Sequence, residues 1–171
     1  MMTIISRCCV RATVLFAAMA SALLLSALVS PAAADSVRWS TVVGLEDANN
    51  AVGNIAGGGQ PWTTLGGFAS VDLASGRVEF EVRGLVLAGG NTIGTPGAIT
   101  QVMGTVVCDA GSQNLTFNTP LVTLSPRGDA QFVGIIGPIA ASCTSSNVAF
   151  LIRIAAGRWI ANGAVRNDPA R

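Results

Sequence analysis

The sequence predicts an all-β fold, an antiparallel β-sandwich of about 7–8 strands with Ig-like or Greek-key connections, or a small barrel, behind an N-terminal signal helix. Three observations predict it. Arg77-Val78-Glu79-Phe80-Glu81-Val82-Arg83 alternates charged and apolar side chains without a break, the two-residue period of a strand with one wet face. The 171 residues include 20 Gly and 7 Pro, and every Gly lies beyond residue 34, a density of turn formers that favours many short strands. Finally, apolar segments of strand length recur between Gly, Pro, Asn and Asp clusters, with no long helical period among them.

Residues 1–34 read as a secretory signal peptide. Arg7 and Arg11 precede an apolar run from Val14 to Val29, and Pro31-Ala32-Ala33-Ala34 offers the small side chains a signal peptidase accepts, which places the cut before Asp35. The run, about 16 residues, falls short of the roughly 20 that cross a bilayer as a helix. Cys8 and Cys9 come before the apolar run, the wrong order for lipidation, and leave with the peptide. Residues 35–171 then form one domain with eight Arg against nine Asp and Glu, a net charge of −1. So neutral a surface lacks the electrostatic footprint of a nucleic-acid binder. The destination is the periplasm or the medium, with no membrane span after cleavage.

The first strand candidate is 37–44. Residues 46–55 are expected to give one or two helical turns at most, because Gly53 and Gly57-Gly58-Gly59-Gln60-Pro61 cut them short. Phe68-Ala69-Ser70-Val71-Asp72-Leu73 alternates, Ala74-Ser75-Gly76 turns, and the charged strand follows, so 63–83 is a hairpin with Val78, Phe80 and Val82 facing the core. Further strands are expected at 99–108, 115–124, 130–136, 148–155 and 158–165. An outer-membrane barrel fits less well, since it wants aromatic girdles and the chain has no Tyr.

Only Cys108 and Cys143 remain after cleavage, an even pair in an exported chain, so a disulfide between them is expected. In the loop-entropy picture closing about 36 residues contributes roughly 4 kcal/mol. Two thiols without any His make a poor metal site, and neither a metal nor a cofactor is expected.

The absence of His removes Ser-His-Asp and Cys-His nucleophile systems and His-ligated zinc hydrolases. A carboxylate pair survives as the enzymatic alternative. Glu79 and Glu81, same-face neighbours about 7 Å apart on a strand, match the separation that glycoside hydrolysis uses. Arg77 and Arg83 flank them, however, and such a face is ordinarily a solvated one with weak ion pairs. Arg153 interrupts an apolar run and is expected on the outer side of its strand, facing water or a carboxylate such as Asp109 or Asp129. Trp39, Trp62 and Trp159 serve as core or rim anchors, or as a sugar-stacking platform, with Trp62 the best candidate for exposure because it leaves a Gly-Pro loop.

Phe68 to Leu85, with Gly84-Leu85 closing the hairpin, followed by Gly94-Thr95-Pro96-Gly97 and Gly104-Thr105-Val106-Val107, resembles the CHRD-type module of secreted proteins, an all-β domain. The resemblance covers about 40 residues and lacks that family's His-containing motif, so no binding role tied to those His residues transfers. Residues 149–165 are similar to small secreted bacterial proteins of uncharacterised role.

These readings lead to a secreted, non-enzymatic binding protein for an unknown protein or glycan, with loops at one end of the fold as the recognition surface and Gly57, Gly58, Gly59, Gln60 and Trp62 as its first candidates. The alternatives are a glycan-active enzyme built on Glu79 and Glu81, and an envelope or surface component that self-associates through sheet edges.

Overall fold

A computed structural model describes residues 35–109 and 114–166. The signal segment, its apolar run and Cys8 and Cys9 lie outside the described residues. Thirteen strands follow in order: β1 Ser36–Gly44, β2 Ala51–Val52, β3 Ile55–Ala56, β4 Trp62–Thr63, β5 Gly66–Asp72, β6 Arg77–Arg83, β7 Val86–Leu87, β8 Gln101–Cys108, β9 Leu115–Asn118, β10 Val122–Thr123, β11 Ala130–Ile135, β12 Val148–Ile154 and β13 Trp159–Arg166. The long strands join one antiparallel sheet in the order β10-β8-β12-β13-β1-β5-β6-β11, with β9 also paired to β8, while β2 pairs β3 and β4 pairs β7.

The fold is therefore all-β and antiparallel, but the sheet is a single curled half-barrel rather than two facing sheets. The reason lies in β13, which hydrogen-bonds β12 on one side and β1 on the other and so carries the ladder across the place where a sandwich would break. Strand twist accumulates along that ladder. A register shift at Ile152/Arg153 and a left-handed residue at Val165 (φ 48°) bend it further. Consequently the two terminal strands, β10 and β11, approach each other.

The β5–β6 hairpin pairs in full, from Gly66 opposite Arg83 to Asp72 opposite Arg77. Asp72 shapes the turn by accepting the Ala74 and Ser75 N–H groups, each at 3.0 Å. Gly76 closes it at φ 70°, where a Cβ would also collide with the Gly137 carbonyl. Val78, Phe80 and Val82 face the core as the alternation requires, and Arg77 and Arg83 are exposed.

Two expectations change. Residues 46–55 hold no helical turn: Gly53 at φ 56° reverses the chain between β2 and β3. The apolar stretch 115–124 splits in two, because Pro120 has no N–H for a ladder. Thr119 bridges the gap, its N–H donating to the Gly104 carbonyl and its Oγ1 accepting the Gly104 N–H at 2.9 Å.

The sheet encloses an apolar interior crossed by a line of rings, Trp39 to Phe150 at 5.9 Å, Phe150 to Phe80 at 5.6 Å and Phe80 to Phe132 at 6.2 Å between centroids. Cys108, at the end of β8, bonds Cys143 in the segment leading to β12, the expected disulfide. It ties that irregular segment to a strand end where the ladder alone would leave it loose.

Candidate functional site

At one end of the curled sheet a groove of about 550 Å³ opens between residues 58–62, residues 92–99 and the start of β13. Its first wall is the glycine loop, which is held in place on both sides. Gly57 N–H donates to the Asn50 carbonyl at 2.6 Å, Gly58 N–H to the Trp159 carbonyl at 2.8 Å, and the Gly58 carbonyl accepts the Asn49 N–H at 2.8 Å. Glycine is needed at 57, where a Cβ would stand 2.4 Å from the Asn50 oxygen. Gly57 and Gly58 are buried, leaving Gly59 and Gln60 as the exposed part of the loop.

The second wall is a tight loop after β7. Leu87 donates its N–H to the Thr95 carbonyl and accepts from Gly94, both at 2.9 Å, while Thr95 Oγ1 donates to the Thr92 carbonyl at 2.8 Å. Ala88 N–H reaches the Pro61 carbonyl at 2.9 Å and thereby couples the two loops. Trp62, Leu87, Pro96 and Ile160 form an apolar floor, and Gln60, Thr92, Thr95 and Arg158 supply the polar groups of the rim. Arg158 donates from Nη1 to the Gly57 carbonyl at 2.8 Å and is the single charged side chain lining the groove.

Four of the five residues singled out from the sequence, Gly58, Gly59, Gln60 and Trp62, thus meet at one groove, and Gly57 braces it from behind. Trp62 corrects an expectation. It is 6% exposed, a floor rather than a protruding ring, because its strand pairs with β7 and packs over Gly44. Trp39 and Trp159 are buried as well, so the three indoles form no open stacking platform. Residues 87–99 and Arg158 went unnoticed as site components. The Gly94-Thr95-Pro96-Gly97 turn was visible in the sequence, but its position opposite Trp62 depends on the β4–β7 pairing.

Glu79 and Glu81 point outward from β6, half-buried by neighbouring side chains. Glu81 pairs with Arg83 at 3.4 Å, an exposed contact of small energetic weight. Glu81 also borders a second groove of about 560 Å³, between β10 and the β6–β11 edge, together with Arg83, Thr123, Asp129 and Gln131. There Asp129 ties the residue after β6 to the turn before β11: Oδ1 accepts the Gly84 N–H at 3.0 Å and Oδ2 the Ser125 hydroxyl at 3.3 Å. Arg153 donates from Nε to the Gly157 carbonyl at 2.8 Å and from Nη1 to Asn118 Oδ1 at 3.4 Å. Partial burial lowers its pKa from the ordinary arginine value, yet a guanidinium stays charged in any ordinary buffer.

Among the described residues no three His, Cys, Asp or Glu side chains gather as a metal site, and no helix is long and apolar enough to cross a membrane. Compared with known proteins, the chain matches no family model, no curated protein and no solved structure.

Proposed function

We propose that the chain is an exported, non-enzymatic binding protein and that the groove floored by Trp62 is its ligand site. The observation that carries this reading is the convergence of Gly58, Gly59, Gln60 and Trp62 with the 92–99 loop around an apolar hollow of about 550 Å³. That size and lining suit recognition of an apolar group flanked by a few polar ones. Hydrogen bonds across both loops pre-order the walls, which lowers the entropy cost of binding. The Cys108–Cys143 disulfide and the signal-like residues 1–34 support export to an oxidising compartment, periplasm or medium. The CHRD-type resemblance supports an exported all-β module and nothing finer.

The neutral fluorescent probe N-phenyl-1-naphthylamine tests the site. Saturable one-site binding is expected, and Ala98→Trp, which places a large ring at an exposed lining position, abolishes it. Fluorescence that never saturates, or that ignores Ala98→Trp, removes the groove as a ligand site.

A second reading, self-association through a sheet edge, draws support from β11. This terminal strand carries no charge, no Pro and no bulge, and exposes Val133 (57%) and Ile135 (68%). The glycan-cleaving alternative has less support, since Glu79 lines neither groove and Glu81 is engaged by Arg83.

A further inference from the structure

The groove has an asymmetry that narrows its ligand. Its floor is hydrocarbon and indole, its lining includes no Asp or Glu, and its one charged group is the guanidinium of Arg158 at the mouth. Arg158 makes no ion pair among the described residues, and its only hydrogen bond there, from Nη1 to the Gly57 carbonyl, leaves Nε and Nη2 open. Because Gly57 is itself fixed by Asn50 and Trp159, that hydrogen bond anchors the guanidinium at the rim before any ligand arrives. A guanidinium presents paired N–H donors that match a carboxylate's two oxygens, and an apolar channel beside it rewards a hydrocarbon chain.

We infer that the groove binds an apolar monocarboxylate of the medium-chain fatty-acid class, with the carboxylate at Arg158 and the chain laid over Trp62 towards Leu87. This rests on the groove being the ligand site. A neutral sugar fits this lining less well, since few side-chain donors face it and Thr95 Oγ1 is already spent on the Thr92 carbonyl. An ammonium-bearing ligand meets a charge of its own sign.

Decanoate below its micellar concentration, with 1-decanol as its uncharged counterpart, separates the charge from the chain. Calorimetric titration of the purified protein is expected to show decanoate binding more tightly than decanol. Arg158→Gln weakens decanoate about tenfold, equivalent to about 1.4 kcal/mol, and leaves decanol unchanged. Arg158→Lys keeps the charge, loses the fork and recovers part of the difference. A blue shift of Trp emission on adding decanoate, together with loss of calorimetric decanoate binding in Ala98→Trp, places the chain in the groove. Equal affinities for decanoate and decanol, both insensitive to Arg158→Gln, overturn the carboxylate assignment while N-phenyl-1-naphthylamine binding keeps the groove as a site. Failure of decanoate to bind where the neutral probe binds overturns it too, and failure of all three ligands overturns the site along with it.

Discussion

Gly163 in β13 lies directly against the indole of Trp39 in β1, so closely that a Cβ at that position would stand 2.6 Å from Trp39 Cγ. The same relationship recurs on two other strands. A Cβ at Gly134 would meet the Phe132 ring at 2.7 Å, and one at Gly104 would meet the rings of Phe80 and Phe150, each at 2.9 Å. Glycine inside a strand normally weakens it, through lost packing and a freer unfolded chain. Here each ring covers a missing side chain and the curled sheet closes tightly over its aromatic interior.

Gly104→Ala is the sharpest test of that packing. Two rings and the Thr119 bridge surround the position, so the methyl must displace Phe80 or Phe150, and overpacking of this kind costs about 1–3 kcal/mol. Urea denaturation should show the unfolding free energy falling by that amount, through a lower midpoint at unchanged slope. A neutral Gly104→Ala would mean the rings have room to move.

Val165 offers the opposite outcome. A β-branched residue at φ 48° is strained, and its side chain is 64% exposed, so little packing is at stake. Val165→Gly relieves strain of about 1–3 kcal/mol, offset in part by the unfolded-state freedom of glycine. A rise in thermal midpoint of a few degrees is expected; the Ser40 hydroxyl's bond to the residue 165 carbonyl, at 3.0 Å, is common to both proteins, so no rise would show that the backbone at 165 carries no such strain.

The β5–β6 turn should respond to acid. The Ser75 N–H donated to Asp72, with the Ser75 hydroxyl and Ala74 N–H adding to it, holds the Asp72 carboxyl below its ordinary value of 3.8 against a smaller opposing effect of burial. A lowered folded-state pKa means stabilisation that is complete above the unfolded value, about 3.9, and lost as pH falls through the folded one. The protection of the Ser75 and Gly76 amides against hydrogen exchange, taken relative to their intrinsic rates, should therefore fall below about pH 4 in the native protein, whereas Asp72→Asn should show no such step.

The exposed β11 edge makes a prediction about assembly. If copies pair there, light scattering will show the apparent mass rising with concentration, and Ile135→Lys, a charge on that strand, will hold the protein monomeric. A native protein that stays monomeric at every concentration excludes this edge as an interface.

Much of this architecture is legible in the residues themselves. Alternation marked β5 and β6 and the face each side chain takes, and the turn clusters bracketed β1, β8, β11, β12 and β13 to within about two residues, the usual scatter at strand ends. The Cys108–Cys143 pairing follows from their number and from the expectation of export. Three features carry no such mark in the sequence. The burial of Trp62 and the continuity of the sheet through β13 depend on partners distant in sequence, such as Trp62 on Leu87 and Trp39 on Arg166, while the β2–β3 hairpin is local but has only two residue pairs and no alternation to mark it. The groove was half visible because its glycine wall has a compositional signature, whereas the residues opposite, Leu87, Pro96 and Arg158, are ordinary in isolation and become a site through convergence.

The place of β13 in the ladder has a consequence for how the chain matures. Among the described residues it is the one strand that hydrogen-bonds both the β8–β12 half and the β1–β5–β6 half, and Trp39 meets Arg166 only once the chain has been made through β13. A molecule cut short before Trp159 would own two separate fragments of sheet, each with its oily lining open to water. The eight residues of β13 supply the ladder that joins the two into one sheet.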